Sequence, residues 1–167
     1  TMSWLVAGRD AHELMLVLPR VAPAAGAPME RWLQAVRRAG RLAHPQLAPV
    51  VDVGVQDGWP YVAYDMGGWS TLSDRLTRKG LPGTEAARLA TQLLHGLAYA
   101  HDAGVTHGDL QLTMALVDDQ GQVRLAGLEV ASQSAALHEH AAASQLSTQR
   151  AGAERDILAV GLLLHGL

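Results

Sequence analysis

The apolar pattern of this chain changes period once, at Gly67-Gly68, and that change limits the fold more than any other feature of the sequence. Upstream, apolar runs at 4–7, 13–18, 49–55 and 59–64 have strand length and are separated by turn residues, with one helical segment among them. Downstream, apolar residues recur at helical spacing, as Leu89, Leu93 and Leu97 do at i, i+4. The sequence therefore predicts an α+β protein in two parts, a sheet-rich part over 1–66 and a mainly helical part over 67–167. At 167 residues the chain has room for one compact domain or two small lobes sharing a core. Apolar residues make up 49% of it, but aromatics only 4%, so Leu, Ala and Val must fill the interior.

The runs at 4–7 and 13–18, around Gly8-Arg9-Asp10, read as a β-hairpin. Pro28 suits a helix N1 position, and residues 29–42 form the expected helix, ended by Pro45. Its apolar stripe is Met29, Leu33 and Val36, while Arg31, Arg37, Arg38 and Arg41 read as a solvated face. Gln56-Asp57-Gly58 is the turn of a second hairpin. Beyond Gly67-Gly68 come a short helix over 72–78 and a long one from Glu85 to about His101, with Thr84 as its cap and Gly104 at C′. Residues 114–117 and 122–125 form a small hairpin, 132–150 an irregular polar loop, and 156–164 an apolar helix.

A net charge of −3 supplies no field for nucleic acid or an anionic membrane. No apolar run approaches the roughly 18 residues of a membrane span, and no signal pattern opens the chain. With no cysteine, disulfides and thiolate metal sites are excluded. The expectation is a soluble, cytoplasmic protein with neither nucleic-acid partner nor membrane insertion. Other absences bear on chemistry: Lys79 is the only lysine, and asparagine and phenylalanine are missing altogether.

The run Leu97-Ala98-Tyr99-Ala100-His101-Asp102-Ala103-Gly104-Val105-Thr106-His107-Gly108-Asp109-Leu110 resembles the long helix and catalytic loop of Hanks-type Ser/Thr protein kinases. Upstream, Leu42-Ala43-His44-Pro45-Gln46-Leu47 is similar to the segment after that family's αC helix, and Pro60-Tyr61-Val62-Ala63-Tyr64-Asp65 to the strand entering its hinge. Downstream, Gly121-Gln122-Val123-Arg124-Leu125 and Arg155-Asp156-Ile157-Leu158-Ala159-Val160-Gly161 resemble the motifs before the D-F-G segment and opening αF. The resemblance implies a two-lobed kinase-like fold, with a small antiparallel-sheet N-lobe plus αC over 1–66 and a truncated helical C-lobe over 67–167. It also implies that the first strand and Gly-rich loop are missing and that the chain ends within αF. The Arg-, Ala-, Leu- and Gly-rich composition points to a bacterial gene.

Phosphoryl transfer needs positioned charges: a lysine on the phosphates, a glutamate to hold it, a loop aspartate and asparagine, and an aspartate on the metal. By the resemblance, Val17 stands at the lysine, Ala35 at the glutamate, Gly108 and Gln111 at loop arginine and lysine positions, Met114 at the asparagine and Gly127 at the D-F-G aspartate. Asp109 alone remains, and its expected role is to bond loop backbone. Glu129, two residues past the aspartate position, is not expected to bind metal. A nucleotide pocket would involve Val6, Met15, Tyr64, Asp65, Met66 and Leu116, where Met15 and Tyr64 add bulk; no cofactor is expected, and ATP with Mg²⁺ is the alternative.

What the resemblance retains is architectural. Ala39, Val50, His107 and Leu128 match a stacked spine, and Asp156 matches the αF carboxylate beneath the loop. His138-Glu139-His140 lacks a third ligand nearby and is expected to be incidental. Trp69 is expected to pack in the core rather than anchor a partner. His-Gly-Asp-Leu occurs too in aminoglycoside-phosphotransferase-like kinases, which require an asparagine that this chain lacks. The expected function is a catalytically inactive, protein-binding or regulatory signalling module, its partner another signalling protein or neighbouring domains of a longer chain. A degenerate kinase retaining ATP binding or weak phosphotransfer is the alternative, and a purely structural spacer is a third reading.

Overall fold

The structure, a computed structural model, describes residues 1–8, 12–76, 80–131 and 145–165. Four strands, β1 (Met2–Ala7), β2 (Glu13–Leu18), β3 (Val50–Gln56) and β4 (Trp59–Asp65), form an antiparallel sheet in the order β1-β2-β4-β3. The β3–β4 turn has positive φ at both Asp57 (51°) and Gly58 (81°), the backbone that matches the twist of a two-residue hairpin. Helix α1 (Ala27–Ala39) packs on one face of this sheet.

Helix α1 departs from expectation at its end and on its buried stripe. It stops at Ala39 rather than near Leu42, and the Gly40 that follows comes against Val50: a Cβ there would lie 3.0 Å from Val50 Cγ2. The chain then tightens through Arg41 N–H to Arg38 O and Leu42 N–H to Ala39 O. Its buried residues are Trp32, Val36 and Ala39, whereas Leu33 is only half-buried.

The second part holds β5 (Ser70–Thr71), α2 (Leu72–Arg75), α3 (Gly83–Asp102), β6 (Ala115–Val117), β7 (Val123–Leu125) and α4 (Gln145–His165). A 3₁₀ turn over Leu112–Met114 leads into β6, and β5-β6-β7 form a small sheet. Strand β5 has no apolar alternation and was not expected; it exists because Ser70 and Thr71 pair with Val117 and Leu116. Thr84 is not the α3 cap. Pro82 is, its carbonyl accepting the N–H groups of Glu85 and Ala86, both at 2.9 Å. Gly104, with φ 71°, closes α3 as expected, Val105 N–H reaching back to Ala100 O.

The largest departure is α4, helical from Gln145 where a loop was expected as far as 150. Contact with the loop after α3 favours it: a Cβ on Gly152 would lie 2.8 Å from Thr106 Cγ2, so the helix approaches at glycine distance. The expected turn residues Arg9 and Asp10, the polar run 132–144 with His138-Glu139-His140, and Lys79 lie outside the described residues.

The two parts meet along a seam at residues 46–48. Leu47 bridges Leu125 in parallel, Ala48 N–H donates to Leu125 O and Leu125 N–H to Gln46 O. One apolar cluster lies among α3, β6, β7 and α4; a second joins α1, β2 and β4 to Met114, Leu116, Ala126 and Val130. Trp69 packs against the second cluster, as expected, with the Arg124 guanidinium 4.3 Å above its ring.

Candidate functional site

Sheet, α1 and the loops after α3 and β7 converge on one buried point, and three residues remote in sequence meet there. Val17, on the inner face of β2, is fully buried, as is Met114 at the end of the 3₁₀ turn. Gly127 has φ 88°, and a Cβ on it would lie 3.2 Å from Met114 Sδ and 3.6 Å from both Val17 Cγ1 and His107 Nε2. An L side chain here would be strained by the backbone and crowded by the sulfur. Tyr64 reaches across from β4, its hydroxyl accepting the Gly127 N–H at 2.9 Å. Burial pushes its phenol up to about 12, with the Gly127 bond pulling the other way.

Met15, Met66 and Leu116 are buried in the same cluster, and Asp65 is exposed, accepting Gly67 N–H at 2.9 Å. Val6 does not belong with them. It pairs with Leu14, and since side chains alternate across a strand it lies on the opposite face from Met15. Leu5, the register partner of Met15, shares that inner face and is exposed.

Ala35 is half-buried on α1 and has no polar group to offer. The helix is joined to the 126–130 segment by Trp32, whose indole Nε1–H donates to Val130 O at 3.1 Å. Sequence reasoning missed Trp32; its i, i+4 and i, i+7 relation to Val36 and Ala39 was the available signal. Ala39, Val50 and Leu128 line a void of about 10 Å³ with Tyr64, too small for more than a single water.

Asp156 on α4 is 1% exposed and accepts His107 N–H and Gly108 N–H, each at 2.8 Å, as expected. His101 Nε2 adds a third bond at 2.8 Å. Burial alone would raise this carboxyl; the His101 imidazole and then the two backbone N–H groups outweigh it and hold the group below the ordinary range. His107 Nε2 bonds Ala126 O at 2.8 Å, which makes Nε2 the protonated nitrogen of a neutral ring. Burial lowers its pKa against the raising influence of Asp156, the Ala126 carbonyl and Asp109.

Asp109 does not bond loop backbone through its carboxylate, contrary to expectation. Its Oδ2 meets the Thr1 nitrogen, Thr1 Oγ1 at 2.9 Å and Gln111 Nε2 at 2.7 Å, because the start of β1 runs to the loop here. Glu129, with φ 64°, turns to Thr106: its Oε1 accepts Thr106 N–H and its own N–H donates to Thr106 O, both at 3.0 Å. Among the described residues, no group of three His, Asp or Glu lies close enough to hold a metal ion. Nor is any helix among them long and apolar enough to cross a membrane.

A four-stranded sheet with one helix, set over a helical part whose His-x-Asp loop hangs from a buried helix carboxylate, defines a protein-kinase-like fold. The chain belongs to the protein kinase domain family, which it matches over residues 27–167. It is 26% identical over 147 residues to the probable serine/threonine-protein kinase pknA2 of Bifidobacterium longum, covering 81% of this chain and 19% of that one. It is 27% identical over 151 residues to the serine/threonine-protein kinase PknL of Mycobacterium tuberculosis, covering 83% and 38%. The kinase domain of M. tuberculosis PknI superposes with a TM-score of 0.60 at 25% identity, over 77% of this chain and 54% of that one. The chain thus spans well under two thirds of the relatives it matches.

Proposed function

We propose that this chain is a catalytically inactive kinase-like module, working in the cytoplasm as a binding or regulatory part of a signalling protein. The observation that carries this reading is the dry contact of Val17, Met114 and Gly127. At the positions where the family places a lysine, an asparagine and an aspartate, this chain has three groups without charge, packed against one another. A nucleotide phosphate finds no cation there and a Mg²⁺ no oxygen ligand. Nucleotide with metal therefore does not fit the residues present, and no catalytic step is derived through it.

The partial structure of a kinase site that remains supports the same reading. Asp109 could accept a hydroxyl proton, but base catalysis is worth only about 10²–10⁴-fold. Most of the rate enhancement in phosphoryl transfer comes from electrostatic stabilisation. Meanwhile Asp156, His107 and Trp32, which hold the fold together, are buried and satisfied.

The test is a thermal melt with millimolar ATP and Mg²⁺, paired with a phosphotransfer assay. A ligand at 100 times its Kd stabilises by about 2.7 kcal/mol, a readily seen shift. We expect no shift and no labelled product. A saturable shift would replace this reading with a nucleotide sensor; phosphorylation lost on Asp109→Ala would make the chain an enzyme.

A further inference from the structure

The arginines on and just past α1 were read above as a solvated face, and the last of them, Arg41, lines a groove that begins where the helix ends. Arg31, Arg37, Arg38 and Arg41 are all exposed; the first three lie on α1 and Arg41 follows two residues past its end. Glu30 is the only acid on this helix. Among the described residues Arg31, Arg37 and Arg41 enter no ion pair, and Arg38 makes only a long bond, 3.5 Å, to Gly104 O. At the C-terminal end of α1 lies an open groove of about 410 Å³. Leu42, Leu47, Pro49 and Val50 give it apolar walls, and Arg41 and His44 stand on its rim.

We infer that this groove and its basic border dock an acidic peptide segment of a partner protein, an apolar side chain seated between Leu42 and Val50 and carboxylates facing Arg37, Arg38 and Arg41. The inference rests on the reading of the chain as a binding module and names the surface and the partner's chemistry. Charge selects the occupant. A chain of net charge −3 that places Arg37 and Arg38 in the last turn of α1 and Arg41 just past it presents a local cationic cluster on an acidic body. Such a cluster suits a narrow anionic segment better than the broad field of a membrane or nucleic acid. The volume is that of a side-chain or small-ligand pocket. The geometry is that of an extended segment with one anchor and charged flanks. Arginine's planar fork also pairs carboxylates bidentately.

The experiment uses the whole chain and fluorescein-labelled peptides of about a dozen residues, glutamate-rich around a single Leu, Phe or Trp. Fluorescence anisotropy should show saturable binding near 10 µM, about the strength of a short-motif contact. Arg37→Glu with Arg41→Glu should weaken it at least about tenfold, and raised salt should do the same. Ala43→Trp, which fills the groove with the charges left in place, should weaken it too. The same peptides with Gln for Glu should not bind. Absence of saturable binding by every acidic peptide would overturn the inference, as would binding indifferent to both sets of variants. Adsorption to phosphatidylserine vesicles without peptide binding, or self-association abolished by Arg37→Glu, would replace it with a membrane or a second copy as occupant. A parallel phosphotransfer assay separates the two readings: unbound peptide with no phosphotransfer sinks the docking surface alone, whereas a phosphorylated peptide sinks the binding-module reading.

Discussion

Val17 and Asp156 show how differently single residues bear on this fold. Val17 has no exposed surface and sits in an apolar cluster, so Val17→Lys would bury an ammonium with no acidic partner in that cluster. We expect it to destabilise the protein by more than about 3 kcal/mol and to produce no ATP response. A stable variant that gained a nucleotide-dependent melting shift would contradict the account of the site. Asp156→Ala strands two backbone donors, at His107 and Gly108, and should cost about 1–3 kcal/mol. Asp109→Asn, at a partly exposed carboxylate, should change stability by less than about 1 kcal/mol. Urea denaturation of the pair decides, and equal, negligible losses would refute the anchoring role of Asp156.

Among the elements, α1 is held to the 126–130 segment by Trp32 rather than by an ion pair. Trp32→Phe keeps an aromatic ring but leaves the Val130 carbonyl buried without that partner, a loss of about 1–3 kcal/mol. Hydrogen exchange over residues 127–130 should accelerate in the variant, since that carbonyl's partner fixed the segment. Trp4→Phe, on the 50%-exposed Trp4 of β1, should lie within about 0.5 kcal/mol of the parent. If the two substitutions cost the same, the indole bond does not join helix to loop.

For the whole molecule, acid is the condition that tests the buried network. His107 has its pKa lowered from 6.5, so just below that value the unfolded chain binds a proton that the fold refuses. Stability should therefore fall as the pH drops through 6.5 towards the folded pKa. Asp156 is lowered from 3.8, so its contribution is present above that value and is lost as the pH falls further, through its folded pKa. Stability measured against pH should show both losses on acidification, and His107→Gln should remove the first. A profile flat between neutrality and pH 5 would rule out a buried neutral His107.

Most of the elements, and the loop anchored by Asp156, were legible in the sequence because they depend on local periodicity and short motifs. The strand runs, the glycine ending α3 and the His107–Asp109 turn each carry their signal within a few residues. The helix over 145–155 was not legible: its residues are polar without period, and contact between Gly152 and Thr106 favours the helix there. Strand β5 likewise exists only through pairing with β6. The place of Leu5 beside Met15 came from strand register, which a single-residue slip would have reversed. Residue identities alone left the chain without asparagine and with Lys79 as its single lysine. Only the tertiary structure brought Val17, Met114 and Gly127 into contact, because closing a dry core depends on distances between remote segments that no local pattern records.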